Sequence, residues 1–93
     1  MPQQGLLLKA DGTEQVVESK KAKFSLDELQ GFVGGYIELA PTKDGRDMYL
    51  NEEGKLDGLP LNPKATALYK YAGHDVIVGD VIIVGTPRKR KEN

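Results

Sequence analysis

Ninety-three residues with a 39% hydrophobic and a 29% charged share describe one folded domain that buries roughly 65% of its unfolded surface, which excludes separate domains, fibrous repeats and wholesale disorder. The absence of cysteine excludes a disulfide framework and a thiolate metal centre and makes a reducing cytoplasm the expected compartment. The net charge of −1 conceals an asymmetry: Arg88, Lys89, Arg90 and Lys91 crowd residues 86–93 and leave the rest mildly acidic, so nucleic-acid binding by the folded body is disfavoured.

Residues 1–5 carry no basic side chain, and Leu6-Leu7-Leu8 is too short for the core of a signal peptide or for a membrane span, so neither secretion nor insertion is expected. Residues 6–9 and 13–19 flank Asp11-Gly12. Asp-Gly favours a two-residue hairpin turn, so this region is predicted to be a first β-hairpin. Val16 and Val17 are adjacent, which breaks strict alternation and predicts a bulge or a two-sided strand. Beyond a basic linker at residues 20–23, Ser25 is placed to cap a helix from Leu26, Glu28 to complete a capping box, and Phe24 to staple onto Leu29. Leu26, Leu29 and Val33 form one stripe, and Gly34 ends this helix after about two turns.

Residues 36–40 and 47–51 alternate around a loop containing Lys43-Asp44-Gly45, which predicts a second hairpin. A loop with Gly58 and Pro60 then reaches Asn62-Pro63, where asparagine caps and proline takes the first helical position. The second helix is predicted to carry Ala65, Leu68, Tyr69 and Ala72 on one face and to stop at Gly73. Residues 75–85 are strongly β-branched and apolar on both faces, the pattern of a central strand. Gly79-Asp80 permits either a tight hairpin or a kink there. The expected architecture is α+β: one compact domain over residues 1–85, with about six short, mainly antiparallel strands in hairpins and two short helices packed on the sheet. Residues 86–93 are expected to be a disordered basic tail.

No residue set spells out a reaction, and no catalytic residue, metal or cofactor is assigned. His74, the one histidine, is read as favouring the carboxyl end of the second helix, because neighbouring Asp75 is a poor catalytic partner for it. Asp44, Asp47, Glu52, Glu53 and Asp57 lack the spacing of a calcium loop. The candidate binding residues are Asn51, Glu52, Glu53 and Lys55 in a polar turn, with Gly54 supplying backbone freedom. Asn62 and Lys64 join them at the amino end of the second helix, where an anion such as a nucleotide phosphate could sit. Tyr71 completes the set. It stands about 200° from Tyr69 on a helix, so one of the two rings should be exposed to a partner or to a second copy in a homodimer.

Four ordered runs carry a resemblance. They are Leu26-Asp27-Glu28-Leu29-Gln30-Gly31-Phe32-Val33-Gly34-Gly35-Tyr36-Ile37-Glu38, then Tyr49-Leu50-Asn51-Glu52-Glu53-Gly54-Lys55-Leu56-Asp57-Gly58-Leu59-Pro60-Leu61-Asn62, then Ala65-Thr66-Ala67-Leu68-Tyr69, then Asp75-Val76-Ile77-Val78-Gly79-Asp80-Val81. Together they resemble a small domain-of-unknown-function family of bacteriophages, prophages and some bacteria, over residues 5–85. The resemblance implies a phage-type accessory protein in a host cytoplasm and brings no catalytic residue with it. The expected function is that of a non-enzymatic binding module on a host protein; the alternative is a small-ligand protein binding a nucleotide signal.

Overall fold

The most β-branched segment of the chain ends up where both faces are covered. In the computed structural model, which describes residues 1–86, the elements are β1 (Gln4–Leu8), β2 (Glu14–Glu18), α1 (Leu26–Val33), β3 (Ile37–Pro41), β4 (Asp47–Asn51), α2 (Pro63–Leu68) and β5 (Val81–Val84). The strands form one antiparallel sheet in the order β2-β1-β5-β4-β3. β5 is therefore last in sequence and central in space, inserted between two hairpins, and all four of its residues are buried.

Period-two alternation along β5 splits the core in two. Val81 and Ile83 join Leu8, Ala40 and Met48 under Ala65 of α2 and Ile77 of the following loop. Ile82 and Val84 face the other way, toward Leu29 of α1, with Phe24, Phe32 and Tyr49 around them. α1 begins as its sequence predicts. The Ser25 hydroxyl accepts from Glu28 N at 3.1 Å, Glu28 Oε1 accepts from Ser25 N at 2.9 Å, and Glu28 Oε2 accepts from Lys20 N at 3.0 Å. The helix ends at Gly34, whose φ of 82° is the left-handed conformation that glycine adopts without a Cβ clash.

The departures from expectation have local causes. The sheet has five strands, not six, because residues 76–78 leave it. Val78 makes only an isolated bridge to Leu61, Gly79 turns the chain with φ 78°, and Gly79 N donates to Pro60 O at 2.7 Å. The Gly79-Asp80 pair is thus a kink leading into β5. α2 stops at Leu68, well before Gly73, because Tyr69 turns extended (φ −65°, ψ 133°) and bridges Thr42. Lys70 N then donates to Pro41 O at 3.0 Å and Lys43 N to Leu68 O at 2.8 Å. Pairing with the open end of β3 outweighs another helical turn.

The first hairpin closes through a three-residue loop, 10–12, with Lys9 N donating to Thr13 O at 2.9 Å; a two-residue Asp-Gly turn does not form. Asp80 Oδ1 accepts from Ala10 N at 2.9 Å and holds that longer loop. β2 pairs in continuous register through Val16 and Val17, with no bulge, because an edge strand leaves Val16 66% exposed. The expected basic tail lies, from residue 87 onward, outside the described residues. Among the described residues no helix is long and apolar enough to cross a membrane.

Candidate functional site

The polar loops that carry the candidate binding residues are separated by the fold into three places. Asn62 is fully enclosed at 0% exposure. Its Oδ1 accepts from Ala65 N at 3.1 Å, and its Nδ2 donates to Leu8 O at 2.9 Å and Gly79 O at 2.8 Å. Asn62 N in turn donates to Ile77 O at 2.8 Å. The side chain therefore caps α2, ties it to β1 and fixes the kink before β5, with no polar atom left for a ligand. Lys64 is also engaged: its Nζ donates to Gly12 O at 2.8 Å and pairs with Glu14 on the first hairpin. The expected anion site at the start of α2 is thus occupied by the protein's own contacts.

Asn51, Glu52 and Lys55 meet elsewhere, at a cleft on the β3–β4 side of the sheet. Gly54 N donates to Asn51 O at 3.1 Å, Asp57 N to Glu53 O at 2.9 Å and Leu59 N to Gly54 O at 2.9 Å, so residues 51–59 wind into a tight series of turns. Gly54 is required here for space: its φ is not positive, and a Cβ would stand 3.0 Å from Val78 Cγ2 and 3.3 Å from Asn51 O. That close approach sets the turns against residues 76–78. The cleft between them has a volume of about 130 Å³ and includes Ala40, Leu50 and Ile77 among its lining residues.

Around the apolar lining stand Glu38, Glu52, Lys55 and Asp75, together with Leu56 and Val76. Leu56 is 86% exposed and Val76 43% exposed, so two aliphatic side chains stand uncovered at the edge of the cleft. Lys55 and Asp75 form an ion pair from one loop to the other, both about half exposed. The Asp75 carboxyl lies below its ordinary range, first because Lys55 donates to it and then because Val76 N–H does. Neither Glu38 nor Glu52 has an ion-pair partner among the described residues.

Asn51 itself is buried, with Nδ2 donating to Val33 O at 3.3 Å and Oδ1 accepting from Glu53 N at 2.8 Å. It organises the turn and leaves contact to its neighbours. Glu53 falls on the opposite flank, in a shallow groove with Gln30, Tyr36 and Asp57 beside the end of α1. Tyr71 is 47% exposed, as one of the two tyrosines should be. The helical angle is not the reason, since both rings lie beyond α2 and meet edge to face at 5.7 Å. His74 is exposed in a separate turn, with its N donating to Tyr71 O at 2.8 Å. The α2 dipole account of His74 therefore lapses with the shorter helix. Among the described residues no group of three or more His, Cys, Asp or Glu side chains is arranged to hold a metal ion.

Sequence reasoning missed Glu38, Leu56, Asp75 and Val76 as parts of one site. A lone leucine in a polar turn was the available signal for Leu56. Nothing in the spacing of Lys55 and Asp75, twenty residues apart, reveals that they pair.

Residues 3–93 match the family described as Domain of unknown function (DUF3846). No curated protein matches the chain and no solved structure matches it.

Proposed function

The chain belongs to the DUF3846 family, and we propose that it serves as a non-enzymatic protein-binding module, a phage-type accessory that docks on a host protein in the host cytoplasm. The observation that carries this reading is the cleft at which Leu56 and Val76 stand exposed beside an apolar lining. Covering such side chains with a partner recovers about 25 cal/mol for each Å² removed from water. Exposed apolar groups that continue into an apolar concavity form the kind of contiguous patch that marks interaction sites and binding grooves. The phage-type origin rests on the order of the four sequence runs described above, and the host partner on that origin.

The nucleotide reading draws less support from the geometry. Asn62 is enclosed with its side-chain amide fully bonded inside the protein, and Lys55 and Lys64 stand at different sites, each beside a carboxylate. The cleft of about 130 Å³ is well below the roughly 300–1,000 Å³ of small-molecule sites, and the groove of about 410 Å³ beside α1 offers a phosphate the carboxylates Glu53 and Asp57 and no basic side chain.

The test is affinity capture from a bacterial host lysate with the wild-type chain, L56D, V76D and the distant edge variant V16D. All three positions are exposed, so each variant should keep the wild-type thermal unfolding profile. The expected result is a protein retained by the wild type and V16D and lost with L56D and V76D. Retention of nothing above background, or equal retention by L56D, counts against the docking reading.

A further inference from the structure

We propose that the cleft takes one apolar side chain from a partner segment in which lysine or arginine flanks that side chain, an inference that rests on the docking reading above. Size sets the first half of this specificity. The cleft's volume is about 130 Å³ and its lining includes Ala40, Leu50 and Ile77, and a cavity of about 150 Å³ with aliphatic walls holds a benzene-sized group. A single leucine, isoleucine or phenylalanine side chain is of that order, and a folded element is not.

Charge sets the second half. The rim carries the acids Glu38, Glu52 and Asp75 against the one base Lys55. Asp75 already shares its charge with Lys55, so Glu38 and Glu52 remain as the uncompensated pair among the described residues. A carboxylate or phosphate entering the cleft meets the like charges of Glu38 and Glu52, whereas an ammonium or guanidinium meets opposite charge. The chain's net charge of −1 leaves this preference to the local acids of the rim.

The Lys55–Asp75 pair makes the rim adjustable. Both partners are about half exposed, and ion pairs at such exposure hold their geometry only weakly. An incoming cation can therefore share Asp75 without a large cost. Leu56 and Val76, next in sequence to the two partners, then close over the apolar side chain between them.

The experiment is an amide-resolved NMR titration of the whole chain with three blocked synthetic pentapeptides. These are Lys-Arg-Leu-Arg-Lys, the same with serine in place of leucine, and Glu-Asp-Leu-Asp-Glu. The first should shift the amides of Leu50, Lys55, Leu56, Val76 and Ile77 and bind about tenfold or more tightly than the serine peptide, the value of one buried leucine. The acidic peptide should bind about tenfold more weakly than the basic one at low salt, and added salt should narrow that gap. The double variant E38K/E52K should reverse the preference between the basic and acidic peptides.

Equal binding of the serine peptide, equal binding of the acidic peptide, or shifts centred on another face overturns the inference. Lysate capture that L56D abolishes but excess basic peptide leaves untouched also sinks it, while the docking reading stands. Loss of both responses sinks the two together.

Discussion

Replacing Asn62 should be among the most damaging single polar substitutions in this domain. In N62A the α2 cap is lost, at about 1 kcal/mol, and Leu8 O and Gly79 O lose a donor inside the core, at about 1 kcal/mol or more each. The sum, about 3 kcal/mol, is a large part of the roughly 5–14 kcal/mol expected for a chain of this size. It corresponds to a fall in Tm of about 12–24 °C. N62D separates the contributions, because its carboxyl keeps the oxygen that accepts from Ala65 N but, when ionised, has no proton for either carbonyl. Enclosed and facing lone pairs, that carboxyl has a folded-state pKa above its unfolded value of about 3.9. Its protonated form can still donate one bond, so N62D is least damaging below pH ~4 and loses stability as pH rises toward the folded-state value. Urea and thermal unfolding followed by far-ultraviolet circular dichroism across that range measure both variants. A loss below about 1 kcal/mol in N62A, or an N62D profile that is flat with pH, would refute the claim that this amide locks α2, β1 and the β5 kink together.

Two further substitutions test the packing and the helix start. G5A should cost about 1–3 kcal/mol by overpacking, because a Cβ there would stand 2.9 Å from Ile82 Cδ1 and 3.1 Å from Phe24 Cε2; a neutral effect in urea melts would show that Ile82 and Phe24 pack less closely over β1. S25A should cost about 1 kcal/mol, since its hydroxyl accepts from Glu28 N. Glu28 is held below the ordinary carboxylate range, first by the Ser25 backbone N–H and further by the Lys20 N–H. A carboxyl with a depressed folded-state pKa stabilises above its unfolded pKa and loses that contribution as pH falls through the folded value. E28Q should flatten this acid limb, and an NMR titration placing Glu28 at the ordinary carboxylate value would show that the capping box does not form in solution.

Residues close together in sequence were read well. Ser25, Glu28 and Gly34 delimit α1 because capping uses only atoms within a turn of each other, and the second hairpin follows from two alternating runs with a short loop between them. The β-branched run placed at the sheet centre was legible for the same reason: β5 shows its two-sided burial in its own composition. The candidate site was legible only in part. Glu52 and Lys55 line the cleft as members of one polar turn, whereas Asn62 is enclosed and Lys64 reaches the first hairpin, because an N-cap asparagine and a nearby lysine look the same in sequence whether their contacts are external or internal.

Local sequence, then, fixed the α+β class, the helix starts and the two hairpins, since propensity, capping and alternation are short-range effects. The assembled fold decided the rest. It placed β5 between the hairpins, ended α2 at Leu68 when Tyr69 met Thr42, bent the chain at Gly79, and brought Leu56 and Lys55 beside Val76 and Asp75. Each of these outcomes is a contact between distant segments whose energy exceeds the local preference it overrides, and such contacts exist only once both segments are in place.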